Sequence, residues 1–411
     1  MKQRIVSSVV LLVAAMSCAA KSPLEPRVVD LAAKDGVHLK ATYFAAGKPG
    51  PGVILLHQCN QQRKNWDDLA GRMAAAGINV LTLDYRGYGD SEGPRALELS
   101  NEDRTRMITQ QWPGDIDTAF HYLLSQPGVT KNIMGAGGAS CGVNQSIQLA
   151  RRHAEVKSLA LLSGNTDADG RKFLQASSGL PVFFSAADDD DGAVDLMEWL
   201  YAVATNPGNQ FAHYATGGHG TVMFGEHKEL PGTIVDWFVT TLIKTPGKAS
   251  AAKKTMAVDS ERVSILRLLD EPGGANKVAQ KLAEARKSDP KATLFSEGIV
   301  NVIGYDHIQS GDTKGAVEVL KLNVTAYPDS ANVYDSLSDA YLADGRKDLA
   351  REYAQKALEM LAADTTTDGE RKKLIRDSAE QKLKQLGESR RRNPTSPRGP
   401  SKIQSSTTTP R

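Results

Sequence analysis

Apolar runs alternate with amphipathic stretches over the first 244 residues. A β-hairpin is predicted over residues 27–46, followed by strands near residues 52–57, 78–84, 131–137, 156–163, 180–186 and 209–215. The stretches between them repeat apolar positions every three to four residues, which predicts helices near residues 64–76, 114–126, 141–153, 193–204 and 229–243. Alternating strands and helices predict an α/β class: a mostly parallel, doubly wound sheet with helices on both faces.

The pattern becomes wholly helical further along the chain. Residues 245–258 are rich in Ala, Lys, Thr and Ser and are interpreted as a linker, and residues 259–387 are predicted to form a helical domain. Within it, residues 331–364 resemble a tetratricopeptide repeat, carried by Tyr334, Leu337, Ala340, Tyr341, Gly345, Ala350 and Ala357. Residues 388–411 contain almost no apolar side chains, so we expect a disordered tail there.

The amino end has the features of an export signal. Positive charge at residues 1–4 precedes an apolar run over residues 5–16, which is too short to span a bilayer. We therefore expect a signal peptide over residues 1–20 and a periplasmic or secreted protein without a transmembrane span. The alternative is a lipoprotein acylated at Cys18, although Ala15 and Met16 fit that pattern poorly.

Composition narrows the function classes. The chain has 411 residues, which suggests two domains, and its net charge of +2 gives no broad electrostatic preference for nucleic acid or membranes. The aspartates at residues 188–191 have no His or Cys at ligand spacing, so the sequence predicts neither a metal site nor a cofactor.

A G-x-S-x-G motif at residues 138–142 carries the clearest chemistry. It lies between a predicted strand and a predicted helix, where a sharp turn raises the central serine, Ser140, above the sheet. The alternative for Ser140 is a helix-capping serine. Four aspartates at residues 188–191 and a Gly-Gly-His-Gly segment at residues 217–220 follow later in the chain, each directly after a predicted strand.

This order of serine, acid and histidine, together with residues 54–57 and 83–93, resembles the α/β-hydrolase family over residues 27–244, and most closely its dienelactone-hydrolase-like branch. The resemblance implies Ser140 as nucleophile and His219 as general base. It implies Asp190 as the acid, nine residues after Pro181, with Asp189 and Asp191 left open. For the other histidines we expect structural or solvated roles: His57 after the third strand, His121 and His153 in helices, and His213 packed within a strand.

The same resemblance places an oxyanion hole at the two cysteines that remain after signal removal. One donor is the backbone N–H of Cys141, and Cys59 is the second by position. The family usually has glycine where this chain has Gln58, which leaves the path of that loop open. Two readings of the cysteines remain: a disulfide between Cys59 and Cys141, or two small buried thiols.

The sequence thus predicts an exported serine hydrolase that cleaves carboxylic ester-type acyl bonds of a small-molecule substrate through an acyl-enzyme. Peptidase or thioesterase activity on the same triad is an alternative, because the fold does not determine the substrate. A second alternative is a scaffold that binds a protein partner through the helical repeats, with a subsidiary or inactive hydrolase domain.

Overall fold

The computed structural model describes residues 25–190, 192–248, 260–363 and 369–392. The predicted signal peptide, Cys18, Asp191, most of the predicted linker and residues 393–411 lie outside these ranges. The described part of the chain falls into two compact units. The first consists of described residues from Met1–Gly164, Ser178–Ala187 and Asn206–Lys253, and the second of those from Asn165–Ser177, Asp188–Thr205 and Lys254–Arg411.

The first unit contains a sheet of eight strands within the described residues. In chain order the strands are β1 (Arg27–Ala32), β2 (His38–Phe44), β3 (Gly50–Leu56), β4 (Asn79–Leu83), β5 (Val129–Ala139), β6 (Val156–Leu162), β7 (Val182–Ala187) and β8 (Gln210–Tyr214). Their order in the sheet is β1-β2-β4-β3-β5-β6-β7-β8. Strands β1 and β2 pair antiparallel, β2 also pairs antiparallel with β4, and all the other pairs are parallel.

The helices in the described ranges are α1 (Asp67–Ala75), α2 (Asn101–Arg106), α3 (Trp112–Ser125), α4 (Cys141–Arg152), α5 (Ala168–Ala176), α6 (Ala193–Val203), α7 (Met223–Glu226), α8 (Leu230–Phe238), α9 (Ser260–Leu269), α10 (Gly274–Ser288), α11 (Glu297–Gln309), α12 (Thr313–Ala326), α13 (Ala331–Ala343), α14 (Lys347–Ala363) and α15 (Gly369–Arg392). Helices α1 to α4, α7 and α8 belong to the first unit and the others to the second. The predicted fold class, an α/β protein with a mostly parallel sheet and an additional helical region, is confirmed.

Burial explains why the strands could be predicted. Every residue of β3, β4 and β7 is buried, as expected for parallel strands covered on both faces. Trp66, Trp237 and Phe238 pack in one core cluster of this unit with residues of β3 and β4. Burying a large apolar side chain contributes roughly 1.5–3 kcal/mol, so this core holds the strand ends in place.

The elements of the second unit that the structure describes are all helices. Trp199 and Val203 of α6 share a core cluster with Leu266 and Leu269 of α9 and with residues of α10 to α12. Helix α6 follows β7 in the chain, yet its apolar face packs with the C-terminal helices. Helix α15 extends to Arg392, beyond residue 387, where we expected the helical region to end. The tetratricopeptide resemblance of α13 and α14 stays a prediction.

Three short helices, α2, α5 and α7, were not predicted from the periodicity. Helix α5 lies in the segment after β6, and the side chain of Asp167 caps its first turn by accepting from the Gly170 N–H at 2.7 Å. Helix α2 is similarly capped by Ser100. Among the helices that the structure describes, none combines the length and apolar character needed to cross a membrane.

Candidate active site

Ser140 lies at the turn from β5 into α4 and has an unusual backbone conformation. Its φ of 53° and ψ of −121° are rarely adopted by residues other than glycine, and such conformations cost of order 1–3 kcal/mol. The Ser140 N–H donates to the Leu162 carbonyl at 2.9 Å, and the Ser140 carbonyl accepts from the Val143 N–H at 2.9 Å. The serine side chain makes no capping hydrogen bond to α4. Ser140 is half-buried, and this geometry argues against the helix-capping alternative.

Three glycines make this turn possible because neighbouring backbone occupies the space of a side chain. A Cβ on Gly138 would overlap the Gly142 carbonyl, and a Cβ on Gly142 would overlap the Leu56 carbonyl of β3. Gly164, just after β6, also lies close to the turn, since its Cβ would be 2.5 Å from the Ser140 carbonyl oxygen. The motif glycines therefore serve close packing, and Gly164 is a third such position that the motif did not reveal.

The loop after β3 forms a tight turn beside this segment. The Gln58 carbonyl accepts from the Gln61 N–H at 3.0 Å and from Nδ1 of His57 at 2.7 Å. Because a trans peptide holds its C=O and N–H in opposite directions, the N–H of Cys59 points away from these two donors. Cys141 is the first residue of α4, so its N–H has no partner within the helix. Both predicted oxyanion donors thus have backbone orientations set by their surroundings.

A disulfide joins Cys59 to Cys141, with their Cα atoms 5.8 Å apart. It links the loop after β3 to the residue that follows Ser140. The two segments expected to form the oxyanion hole are therefore covalently connected in the structure.

His57 has a structural environment, as expected for a histidine in this loop. It is fully buried and stacks against Tyr85 at 4.4 Å between ring centroids. Burial lowers the pKa of His57 to about 4, so the ring is neutral near pH 7. With Nδ1 donating to the Gln58 carbonyl, Nε2 accepts from the Tyr85 N–H at 3.3 Å. Both ring nitrogens are engaged by backbone, which leaves His57 no place as the general base.

His219 lies in a half-exposed loop between β8 and a short 3₁₀ helix, Gly220–Val222. Gly217, Gly218 and Gly220 all have positive φ, so glycine is needed at each of these positions. This loop lies against the Ser140 turn, because a Cβ on Gly220 would be 3.2 Å from the Cβ of Ala139. The structure therefore brings together the segments that carry Ser140 and His219.

The other histidines differ from His219 in their surroundings. His121 is exposed on α3, and His153, directly after α4, lies 3.0 Å from the Asp117 carboxylate. The expectation that His213 is packed is wrong. His213 is exposed, and its strand β8 lies at one of the two edges of the described sheet.

The aspartate run begins directly after β7 and belongs to the second unit. Asp188 and Asp189 are exposed, whereas Asp190 is half-buried. The Asp190 carbonyl accepts from the Ala193 N–H at 2.9 Å in the turn that leads into α6. Asp190 thus differs from its described neighbours in burial, and Asp191 lies outside the described residues.

Two features of this region escaped the sequence analysis. Ser163, directly after β6, has a φ of 46° and is fully buried. A serine in the sequence does not predict a positive φ. Gln58 is fully buried, and its side chain contacts Thr221 in the histidine loop. Its departure from the usual glycine was the one available sequence clue. No group of three or more His, Cys, Asp or Glu able to hold a metal occurs among the residues that the structure describes.

Part of this chain is similar to known hydrolases. The family model Hydrolase_4, described as serine aminopeptidase, S33, matches residues 47–185. The protein YfhR of Salmonella typhi is 28% identical over 128 residues, which are 29% of this chain and 44% of YfhR. Epoxide hydrolase A of Mycobacterium tuberculosis is 41% identical over 73 residues, which are 18% of this chain and 21% of that enzyme. The chain thus matches less than half the length of these relatives.

Among solved structures, an esterase of Pyrococcus furiosus aligns with 59% of this chain and 100% of its own, at 15% identity and a TM-score of 0.43. The sequence match to the family model covers strands β3 to β6 and most of β7, together with the Ser140 turn. Over residues 47–185 this chain is therefore similar to the Hydrolase_4 family.

Proposed function

We propose that this protein is an exported serine hydrolase that cleaves carboxylic ester-type acyl bonds, with Ser140 as nucleophile and His219 as general base. The observation that carries the proposal is the backbone of Ser140. A non-glycine residue is held at a φ of 53° by close-packed glycines, and its side chain is not used to cap the helix. Strain of this kind persists where the surrounding structure enforces it, and it is concentrated at functional sites.

In the proposed reaction, His219 removes the Ser140 hydroxyl proton as the serine oxygen attacks the substrate carbonyl carbon. The negative charge that develops on the carbonyl oxygen is stabilised by the N–H groups of Cys141 and Cys59. His219 then donates its proton to the leaving group, and a water molecule, deprotonated by His219, releases the acyl group from Ser140. No cofactor or metal is required for these steps.

Asp190 is proposed as the acid that orients His219 and stabilises its protonated form. Its chain position after β7 and its half-burial support this choice over the exposed Asp188 and Asp189. A carboxylate that is partly removed from solvent interacts more strongly with an imidazolium than an exposed one does.

The proposed export rests on the amino-terminal sequence and is supported by the disulfide. Disulfides form and persist in the periplasm and outside the cell, and are rare in the cytosol. A Cys59–Cys141 bond is therefore what a protein of an oxidising compartment would carry.

A peptidase that uses the same residues is the second candidate, because the matching family model is described as serine aminopeptidase. Ester and amide hydrolysis by a serine nucleophile share the acyl-enzyme, so the residues named above do not separate them. The scaffold alternative is less well supported. Helices α9 and α10 use apolar side chains to pack with α6 within their own unit, which gives part of the helical region a structural role.

The test is labelling with a serine-directed fluorophosphonate, followed by assays on p-nitrophenyl esters of increasing acyl length and on aminoacyl p-nitroanilides. We expect Ser140→Ala to lose labelling and to lose activity by on the order of 10⁴–10⁶-fold. Ser125→Ala, at an exposed serine of α3, is the matched control and should behave as wild type. If the wild-type protein is not labelled, the proposal that it is a serine hydrolase is refuted. If the Ser140→Ala variant is still labelled, the assignment of Ser140 as nucleophile is refuted.

A further inference from the structure

The Gln58 side chain connects the loop after β3 to the loop that carries His219. Its Oε1 accepts from the Thr221 N–H at 2.9 Å and from the Thr221 hydroxyl at 3.1 Å. Its Nε2 donates to Oδ1 of Asn60 at 2.9 Å. Gln58 is fully buried, and both ends of its amide are therefore hydrogen-bonded in the interior.

The contact with Thr221 determines which way the Gln58 amide points. An amide has one donor end and one acceptor end, and a backbone N–H can only donate, so Oε1 must face the Thr221 N–H. The Nε2 end then faces Asn60 and donates to its side-chain oxygen. This contact is an anchor that holds the two residues together, because breaking it would leave the buried Gln58 oxygen and the Thr221 N–H without hydrogen-bond partners away from water.

The anchor acts two residues after His219. Thr221 lies in the 3₁₀ helix that begins at Gly220, and its N–H is one of the groups that such a helix start leaves without an internal partner. Gly220 lies so close to Oε1 of Gln58 that a Cβ there would overlap it. The backbone on the C-terminal side of His219 is thus fixed by contact with Gln58.

This anchor matters because the loop is rich in glycine. Gly217, Gly218 and Gly220 give the chain around His219 a wide choice of conformations, and selecting one of them costs entropy. A glycine at position 58, as is usual in the family that this chain resembles, has no side chain to offer the Thr221 N–H.

We propose that Gln58 is a positioning residue that holds His219 in register with Ser140 through its hydrogen bonds to Thr221. The inference rests on the proposed function. Displacing a general base by about 1 Å can cost about 10²-fold in rate. Gln58 itself need not touch the substrate for this effect.

The experiment compares Gln58→Met with wild type in the full-length chain, using the ester substrate that the wild type hydrolyses best. Methionine keeps the side-chain length and removes both hydrogen bonds. Active sites are first titrated with fluorophosphonate, so that kcat refers only to folded, competent enzyme. We expect kcat per titrated site to fall about 10- to 100-fold with KM changed less than about 3-fold.

Gln145→Met is the matched control. Gln145 is also a buried glutamine, and its Nε2 donates to the Ile108 carbonyl at 3.4 Å, away from the histidine loop. This variant makes the same change of side chain at a buried site, and it should leave kcat per titrated site within about 2-fold of wild type.

A second variant decides the matter if Gln58→Met does not fold. Thr221→Val removes the hydroxyl donor and keeps the backbone N–H, so we expect a milder loss of kcat, about 3-fold, with KM unchanged. The positioning role would be overturned if Gln58→Met had the wild-type kcat per titrated site, or if Thr221→Val did when it alone folds. The proposed function would then still stand. A wild-type protein without hydrolase activity would instead refute the proposed function, and this inference with it.

Discussion

Removing the Cys59–Cys141 disulfide should strongly destabilise the first unit. The perturbation is the double substitution Cys59→Ser and Cys141→Ser. It is made in a Cys18→Ser background, so that no other thiol of the chain can exchange with the pair. Serine is close to cysteine in size, which keeps the packing change small.

The expected magnitude follows from the length of the closed loop. The bonded cysteines are 82 residues apart. Cross-linking two residues at that separation lowers the entropy of the unfolded chain by about 15 cal/mol/K, which corresponds to about 4.5 kcal/mol at 25 °C. Removing a native disulfide usually lowers the free energy of unfolding by about 2–5 kcal/mol, so this estimate lies at the upper end of the usual range.

The assay is urea unfolding followed by tryptophan fluorescence. Three of the four tryptophans of the chain, Trp66, Trp112 and Trp237, lie in the first unit, so the signal reports mainly on that unit. With a slope of about 2.5 kcal/mol/M, the midpoint should fall by about 1.8 M. Adding a reductant should move the oxidised protein to the same midpoint and leave the double variant unchanged.

Two results would refute this reasoning. A midpoint shift below about 0.5 M would mean that the cross-link does not restrict the unfolded chain as the loop length implies. Two free thiols at Cys59 and Cys141, found by alkylation and mass mapping of protein purified without reductant, would mean that the bond does not form.

Three further predictions concern single residues. Gly142→Ala should destabilise the protein by more than about 2 kcal/mol and abolish fluorophosphonate labelling, because the added Cβ would overlap the Leu56 carbonyl. The control is Gly225→Ala, where a Cβ meets nothing within 4 Å, and it should change the melting temperature little. Burial lowers the pKa of His57 to about 4, so the unfolding free energy should decrease as pH falls from about 6.5 towards 4. The NMR chemical shifts of the His57 ring should stay constant from pH 7 to pH 5, because the ring remains neutral in the folded protein. Burial raises the pKa of Asp306 to about 6 despite its pairing with Arg171. The contribution of this shift to stability is therefore fully present below pH 3.8 and is lost as pH rises through 6. Asp306→Asn should remove a pH dependence of the unfolding free energy of about 3 kcal/mol over that range, measured by denaturant midpoints.

Much of the fold was predictable because its physical causes are local in sequence. Buried parallel strands appear as uninterrupted apolar runs, and the predicted strands agree with β3 to β8 to within a few residues. The Ser140 turn and the glycines around His219 were predictable for the same reason. Positive φ and close backbone approach demand glycine, and glycine is visible in a sequence.

The features that could not be predicted depend on contacts between residues far apart in the sequence, or on differences in burial between residues of the same type. Gln58 and Thr221 are 163 residues apart, and neither belongs to a periodic pattern that would pair them. The aspartates at residues 188–190 are identical in type, so only burial, exposed for the first two and intermediate for Asp190, separates them. Likewise, α6 follows a strand of the sheet, but its apolar face packs with the C-terminal helices, which periodicity alone cannot show.

Two consecutive residues of this chain, Gln58 and Cys59, connect one loop to both of the other segments in the first unit that carry proposed catalytic groups. Cys59 is bonded covalently to Cys141, which follows Ser140, and Gln58 is hydrogen-bonded to Thr221, two residues after His219. In a sheet whose site residues come from separate strand ends, the relative placement of those residues depends on such loop-to-loop links. The glycine expected at position 58 can supply only backbone. A side chain there, with a bonded cysteine next to it, lets a single short turn connect the segments that carry the proposed nucleophile and the proposed base.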